Sequence, residues 1–264
     1  NEYMGIQIET ETPGTLGAMT VSISDAQLLN NGHINLNVYA RGAVTLTNVV
    51  ASGSTGNGGA FIGNGGAAAP PVTITNSVFS DNVQDGLRVF SNGVITINSI
   101  TVMDNMAEGA VINNGSTSTI TRAITFLSTY GPNVFASNTL NGLSIKTYGN
   151  LVMNNVQAYS NGRNGVYAGA VSGGGLGVGG TILWNGGGAW ANGTTNPIDY
   201  GIGAILNNTL ASLTKSVTLR NVVFYFFFTN ISSNLNFKGC SGLVIFSSGS
   251  VSITNISADD NTFS

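Results

Sequence analysis

Any chemistry in this chain has to come from few residues. Its 264 residues include 7 Asp, 4 Glu, 8 Lys or Arg, 1 His and 1 Cys. The acids gather as Asp81/Asp85, Asp104/Glu108 and Asp259/Asp260. Paired carboxylates are the tools of general acid–base work on glycosidic bonds. Carboxylates repeated along one edge are hard oxygen ligands of the kind Ca2+ takes. Asp81, Asp104 and Asp260 each occupy the same place in a repeated turn, which makes them a candidate Ca2+ edge. The plainer account, and the one preferred, is a turn whose side chains bond local amides. No cofactor is therefore expected, with Ca2+ as the alternative. His33 follows Gly32 with no acid in its segment and is expected at the surface or in a turn. Cys240 has no His nearby and reads as a small buried side chain. Gly175–Gly180 matches G-x-G-x-x-G in form only, because no helix pattern follows it. Trp184, Trp190, Tyr159 and Tyr167 would stack on sugars if they shared one face, but packing is the expected role.

The elements that must position these residues repeat along the chain. Val72–Asn82, Ile95–Asn105, Leu151–Asn161 and Val251–Asn261 follow one template. It runs apolar-x-apolar, a polar pair, a second short strand, then Asp or Ser before Asn. The second residue of the pair falls at Asp25, Asn48, Asn76, Ser99, Arg122, Asn155, Asn185, Asn221 and Asn255, at intervals of 23 to 36 residues. Arg122 and Asn185 fit least well. Gly followed by an apolar residue precedes the units, as in Gly5-Ile6, Gly86-Leu87, Gly109-Ala110 and Gly165-Val166. Each unit thus reads as three short strands, too short to bury a core unless stacked units pair strand on strand about 4.8 Å apart. Asn tolerates the left-handed turn conformation, and its amide can bond the same amide one rung away. The column Asn48, Asn76, Asn155, Asn185, Asn221 and Asn255 is predicted to form such a ladder. Irregular insertions are expected near 49–71, 128–141, 168–200 and 203–215.

Composition agrees and excludes other classes. Hydrophobic residues make up 42% and charged residues 7%, with 37 Gly and 34 Asn. Disordered chains need the opposite balance, and helical bundles need Glu and Lys. A net charge of −3 with scattered bases gives no nucleic-acid patch. No apolar run approaches a bilayer span. The longest such run, Val222–Phe228, has strand length; alternation turns Val223, Tyr225 and Phe227 outward as a possible lateral contact.

The repeated rungs with an Asn column resemble the right-handed parallel β-helix of the pectate-lyase-like superfamily, over nearly the whole chain. The resemblance implies one all-β solenoid domain, 1–264, of about nine rungs. It also implies a choice of roles, since that superfamily holds polysaccharide lyases and hydrolases as well as adhesins and structural surface proteins.

The ends weigh in the choice. The chain opens inside a rung, at Gly5, Ile6 and Ile8, and stops inside one, after Ile253, Ile256, Asp260 and Asn261. The 9 residues from Asn255 to Ser264 plus the 25 to Asp25 make 34, an ordinary rung. Head-to-tail stacking of copies is expected, or excision from a longer β-helix. The leading expectation is a non-enzymatic extracellular solenoid, a filament subunit or adhesin rod, with itself or a flanking β-helix as partner. The alternative is a polysaccharide-binding or polysaccharide-cleaving β-helix with Asp81, Asp85, Asp104 and Glu108 as its site.

Overall fold

The computed structural model describes residues 2–10, 19–65, 69–114, 121–169, 178–193, 202–209, 214–225 and 242–259, with backbone alone at Tyr225, Ala258 and Asp259. Strand-forming stretches of three to five residues alternate buried and open positions, as in Leu36–Ala40, Val72–Thr75 and Leu87–Ser91. None can bury its inward side chains alone. Each pairs in parallel with the equivalent strand one turn of chain away.

Three columns of strands result. The first is a nine-stranded sheet: Ile6–Glu9, Leu36–Ala40, Ala60–Asn64, Leu87–Ser91, Ala110–Asn113, Leu143–Lys146, Val166–Ala168, Ala204–Asn207 and Leu243–Phe246. The other two columns join as a 16-stranded sheet, because Leu151–Tyr159 and Ile182–Trp190 run unbroken through the corner between them. Inward side chains fill the coil, among them Trp184, Phe79, Phe126, Phe135 and Phe224, all fully buried. Trp184 meets Phe224 edge-on at 5.4 Å, and Phe126 meets Phe135 likewise at 6.1 Å. The stretches expected as insertions each hold a rung strand, such as Ala60–Asn64, Asn133–Ala136 and Ile182–Trp190. Their Gly, Ala and Asn content disguises them.

The predicted column is the corner between the second and third strands. Asp25, Asn48, Asn76, Ser99, Asn155, Asn221 and Asn255 all adopt φ between 47° and 56° there. Two positions were misplaced. Phe126 pairs Ile97 and Met153, so the corner of that rung comes after Leu127, not at Arg122. Trp184 pairs Met153 and Leu219, so Asn185 stands one residue before the corner. Gly186 (φ 75°) and Gly187 (φ 88°) turn it instead, a conformation glycine takes without strain. The ladder itself is partial and lies in solvent. Asn48 donates to Asp25 (2.8 Å), Asn76 to Asn48 (2.7 Å), Asn221 to Asn185 (3.4 Å) and Asn255 to Asn221 (3.2 Å).

A second, buried ladder holds the opposite corner. Its αL residues are Asn30, Gly53, Asp81, Asp104, Ser137, Ser160 and Ala191, and the next residue in most rungs is Asn. Asn82, Asn105, Asn138 and Asn161 are at most 1% exposed. The Nδ2 of Asn82 donates to Asn105 Oδ1 (2.9 Å), Asn105 to Asn138 (2.9 Å), Asn138 to Asn161 (3.0 Å) and Asn161 to Asn192 (2.9 Å). Each Oδ1 also accepts the backbone N–H of the preceding rung's Asn. Each Nδ2 also donates to a strand carbonyl, as Asn105 does to Phe79 O at 3.1 Å. Where Ser54 interrupts the column, Asn35 bridges it, accepting from Asn31 (2.7 Å) and donating to Asn82 (3.1 Å).

Candidate functional site

The four acids of the sequence site divide into two pairs, set apart by the buried Asn column. Asp81 and Asp104 occupy the αL turn positions just before Asn82 and Asn105, on adjacent rungs. Burial holds the Asp104 carboxyl above its ordinary range, and the Asp81 charge adds to this, against a hydrogen bond from Ser137. Asp260 lies outside the described residues. Ser257–Asp259, the strand before it, stands five strand spacings beyond Thr101–Met103, about 24 Å away. Of that edge, Asp81 and Asp104 are the described residues. Among the described residues no group of three or more His, Cys, Asp or Glu is placed to hold a metal.

Asp85 and Glu108 lie on the other side, where the chain enters the nine-stranded sheet. The backbone N–H of Glu108 donates to Asp85 Oδ1 at 3.0 Å. Asp85 Oδ2 pairs with the guanidinium of Arg88, whose side chain is half exposed while the acid is buried. Glu108 Oε2 accepts from Ser144 Oγ (2.9 Å), and Oε1 from Asn141 Nδ2 (3.1 Å). Desolvation pushes the Glu108 carboxyl above its ordinary range. The Ser144 and Asn141 bonds oppose that shift, the Asp85 charge adds to it, and Arg163 opposes it. A carboxyl whose desolvation favours its protonated form is a candidate proton donor.

Two clefts open on this outer face. One, of about 400 Å³, is lined by His33, Asn57, Asp85, Arg88, Tyr39 and Phe61 among others. His33 Nε2 lies 2.6 Å from Asn57 Nδ2. The acid that sequence did not find near His33 comes from the rung of Asp85. The other cleft, of about 310 Å³, is lined by Glu108, Val111, Asn113, Ser144, Lys146 and Tyr167 among others. Outward side chains of successive strands line both. At the first cleft, Tyr39 and Phe61 continue into Phe90 as a row with ring centroids 5.2 and 5.8 Å apart.

The remaining sequence candidates lie elsewhere. Trp184 is core. Tyr159 and Trp190 stack on each other at 5.0 Å on the 16-stranded sheet, and only Tyr167 joins the face of Glu108. Val223 is half-buried; Phe227, Asn261 and residues 175–177 lie outside the described residues, as does the Tyr225 side chain. Gly5 packs against Asn35 and the Asn31 side chain, and Ile6 and Ile8 are half-buried on the first strand. Ile253 is 46% exposed on the last rung, and Ile256 packs partly on the core. Sequence reading missed Arg88, Ser144, Lys146 and the three-ring row. The signal was there in the spacing: Asp85 to Glu108 equals Asn82 to Asn105, 23 residues. The alternate residues after each Gly-apolar pair then face outward together.

Parallel strands stacked in three columns around an apolar interior, with turn-borne acids flanking one outer sheet, define a parallel β-helix of the pectate-lyase-like kind. No known protein family and no curated protein matches the sequence. A solved structure does: the A-module of the Azotobacter vinelandii mannuronan C-5 epimerase AlgE6. The TM-score is 0.51 at 16% identity, over 95% of this chain and 67% of that one. This likeness shows the fold, a right-handed parallel β-helix. It also overturns the non-enzymatic expectation, since the β-helix to which the chain is similar is that of an enzyme.

Proposed function

We propose that the chain is an extracellular polysaccharide-active β-helix protein that binds an acidic polysaccharide along its nine-stranded sheet and acts on it at Glu108. One observation carries the reading: the protonation-prone Glu108 borders a cleft on the same face as Arg88, Lys146 and a row of aromatic rings. Few bases are available, yet Arg88 and Lys146 lie on this face, and Arg163 acts on Glu108. A polyanionic substrate explains that placement. The similar epimerase acts on mannuronan, itself a polysaccharide. In hydrolysis, Glu108 would give its proton to the leaving glycosidic oxygen while water adds to the anomeric carbon, and the proton released by that water restores the Glu108 acid. Asp85 is a positioning residue, fixing Arg88 and the backbone of Glu108. Were Ca2+ bound at the neighbouring corner, Asp81 and Asp104 would be its protein ligands, two carboxylates against the six to eight oxygens it takes, and it would supply positive charge there.

The test is turnover and binding on a panel of acidic polysaccharides. Glu108→Gln is expected to abolish turnover while polymer binding persists, and Arg88→Ala to weaken binding about tenfold. Unchanged turnover in Glu108→Gln contradicts the assignment.

A further inference from the structure

We propose that Tyr39, Phe61 and Phe90 form a sugar-stacking platform, a subsite remote from Glu108 that fixes a polysaccharide lengthwise along the coil. The proposal rests on the polysaccharide reading of this face and adds how the polymer lies and what length it needs.

The platform is built into the sheet. Tyr39, Gly63 and Phe90 are register partners on adjacent strands, and Phe61 lies two residues before Gly63 on the same outward side. A Cβ at Gly63 would stand 3.0 Å from Phe61 Cε1 and 3.0 Å from Tyr39 Cδ1. The missing side chain leaves room for the rings to lean together over the strand. They do so at interplanar angles of 43° and 32°, with Tyr39 38% and Phe90 36% exposed. Three tilted rings open to solvent on a chain of such low charge are not needed for the core, which is closed on the other side of the sheet.

The occupant follows from the surroundings. Flat electron-rich ring faces take the C–H face of a pyranose, and the hydroxyls at the sugar's edge need donors and acceptors. Asn37, Asn57, Gln84 and Arg88 supply them in the cleft that Tyr39 and Phe61 also line. The same face continues over Ala110–Asn113 to Ser144 and Tyr167 beside Glu108. Tyr39 and Ser144 stand on strands four spacings apart, about 19 Å. A polymer across the strands touches both clefts, whereas a shorter fragment reaches only one.

Affinity is measured by calorimetry with mannuronan, polygalacturonan and a neutral glucan, then with size-graded oligomers of whichever polymer the wild type binds. Wild-type affinity is expected to rise steeply once an oligomer exceeds about 19 Å. In Tyr39→Ala/Phe61→Ala that rise collapses, and the long polymer binds about tenfold more weakly. Tyr39→Phe keeps the ring and the rise. Gly63→Val, which displaces the rings without removing them, behaves as the double variant does, and thermal melting of each variant reports its folding. Length dependence retained in both ring-disturbing variants overturns the platform alone. A wild type that binds none of the three polymers overturns the polysaccharide reading and the platform with it.

Discussion

Asn48 and Asn105 are the same residue type at two corners of one coil, with different duties. Asn48 lies in solvent at φ 55°, where its value is tolerance of the left-handed conformation. Asn105 is buried, and its amide satisfies the Asn82 backbone and side chain, Asn138 and Phe79. Asn48→Ala is therefore expected to cost about 1 kcal/mol, and Asn48→Gly close to nothing. Asn105→Ala orphans several buried polar groups and is expected to cost about 3 kcal/mol or more, read by urea unfolding. Equal costs at the two sites would contradict this division. The exposed column was legible because its positions recur with an apolar residue two places earlier. The buried column was visible only as the Asn ending each template, with nothing in sequence to show that it faces inward. Glu108 belongs to the same scale. Its carboxyl is raised in the folded state, so its contribution to stability is full below the ordinary value of 4.5 and is lost as pH rises through the raised value. Glu108→Gln is expected to remove that part of the pH dependence of unfolding. An unchanged profile would mean that Glu108 is not desolvated.

At the scale of elements, register decides which side chains meet. The rung of Ile182–Trp190 shows how a one-residue error arises. Leu183 and Trp184 are both apolar, and only pairing with Met153 and Leu219 reveals that Trp184 points inward. Trp184→Ala is expected to cost about 3–5 kcal/mol, whereas Leu183→Ala, on the outer side, should cost far less. Thermal or urea unfolding distinguishes them, and the reverse order would restore the sequence register. The rung after Asn114 was misplaced for a related reason: Thr121-Arg122-Ala123 mimics the polar pair, while the strand that pairs is Ile124–Leu127. The functional face was hidden at this scale too. Arg88 on one strand and Ser144 and Lys146 on another are ordinary outward positions, and stacking alone brings them to the face of Asp85 and Glu108.

The whole molecule is a coil with few charges, and stacking explains that scarcity. Equivalent positions of successive rungs lie about 4.8 Å apart, where like charges repel. Neutral amides and hydroxyls avoid the penalty on most faces. The exception is the nine-stranded sheet, where Asp85, Arg88, Glu108 and Lys146 gather around two clefts, the first of them bordered by the aromatic row. Fold and solenoid architecture were legible from the repeat, because stacking imposes period and alternation on every rung. The site was not, because its members come from several rungs: Asp85, Arg88 and Phe90 share one segment, but Glu108, Ser144, Lys146, Tyr39 and Phe61 join them only through stacking. The most direct measurement of the central claim is a crystal structure of the Glu108→Gln protein with a bound acidic oligosaccharide. The account predicts sugar rings running across the strands from Tyr39 and Phe61 to the side chain at position 108. Oligosaccharide seated on the 16-stranded sheet, with the face of Arg88 and Lys146 left bare, would contradict it.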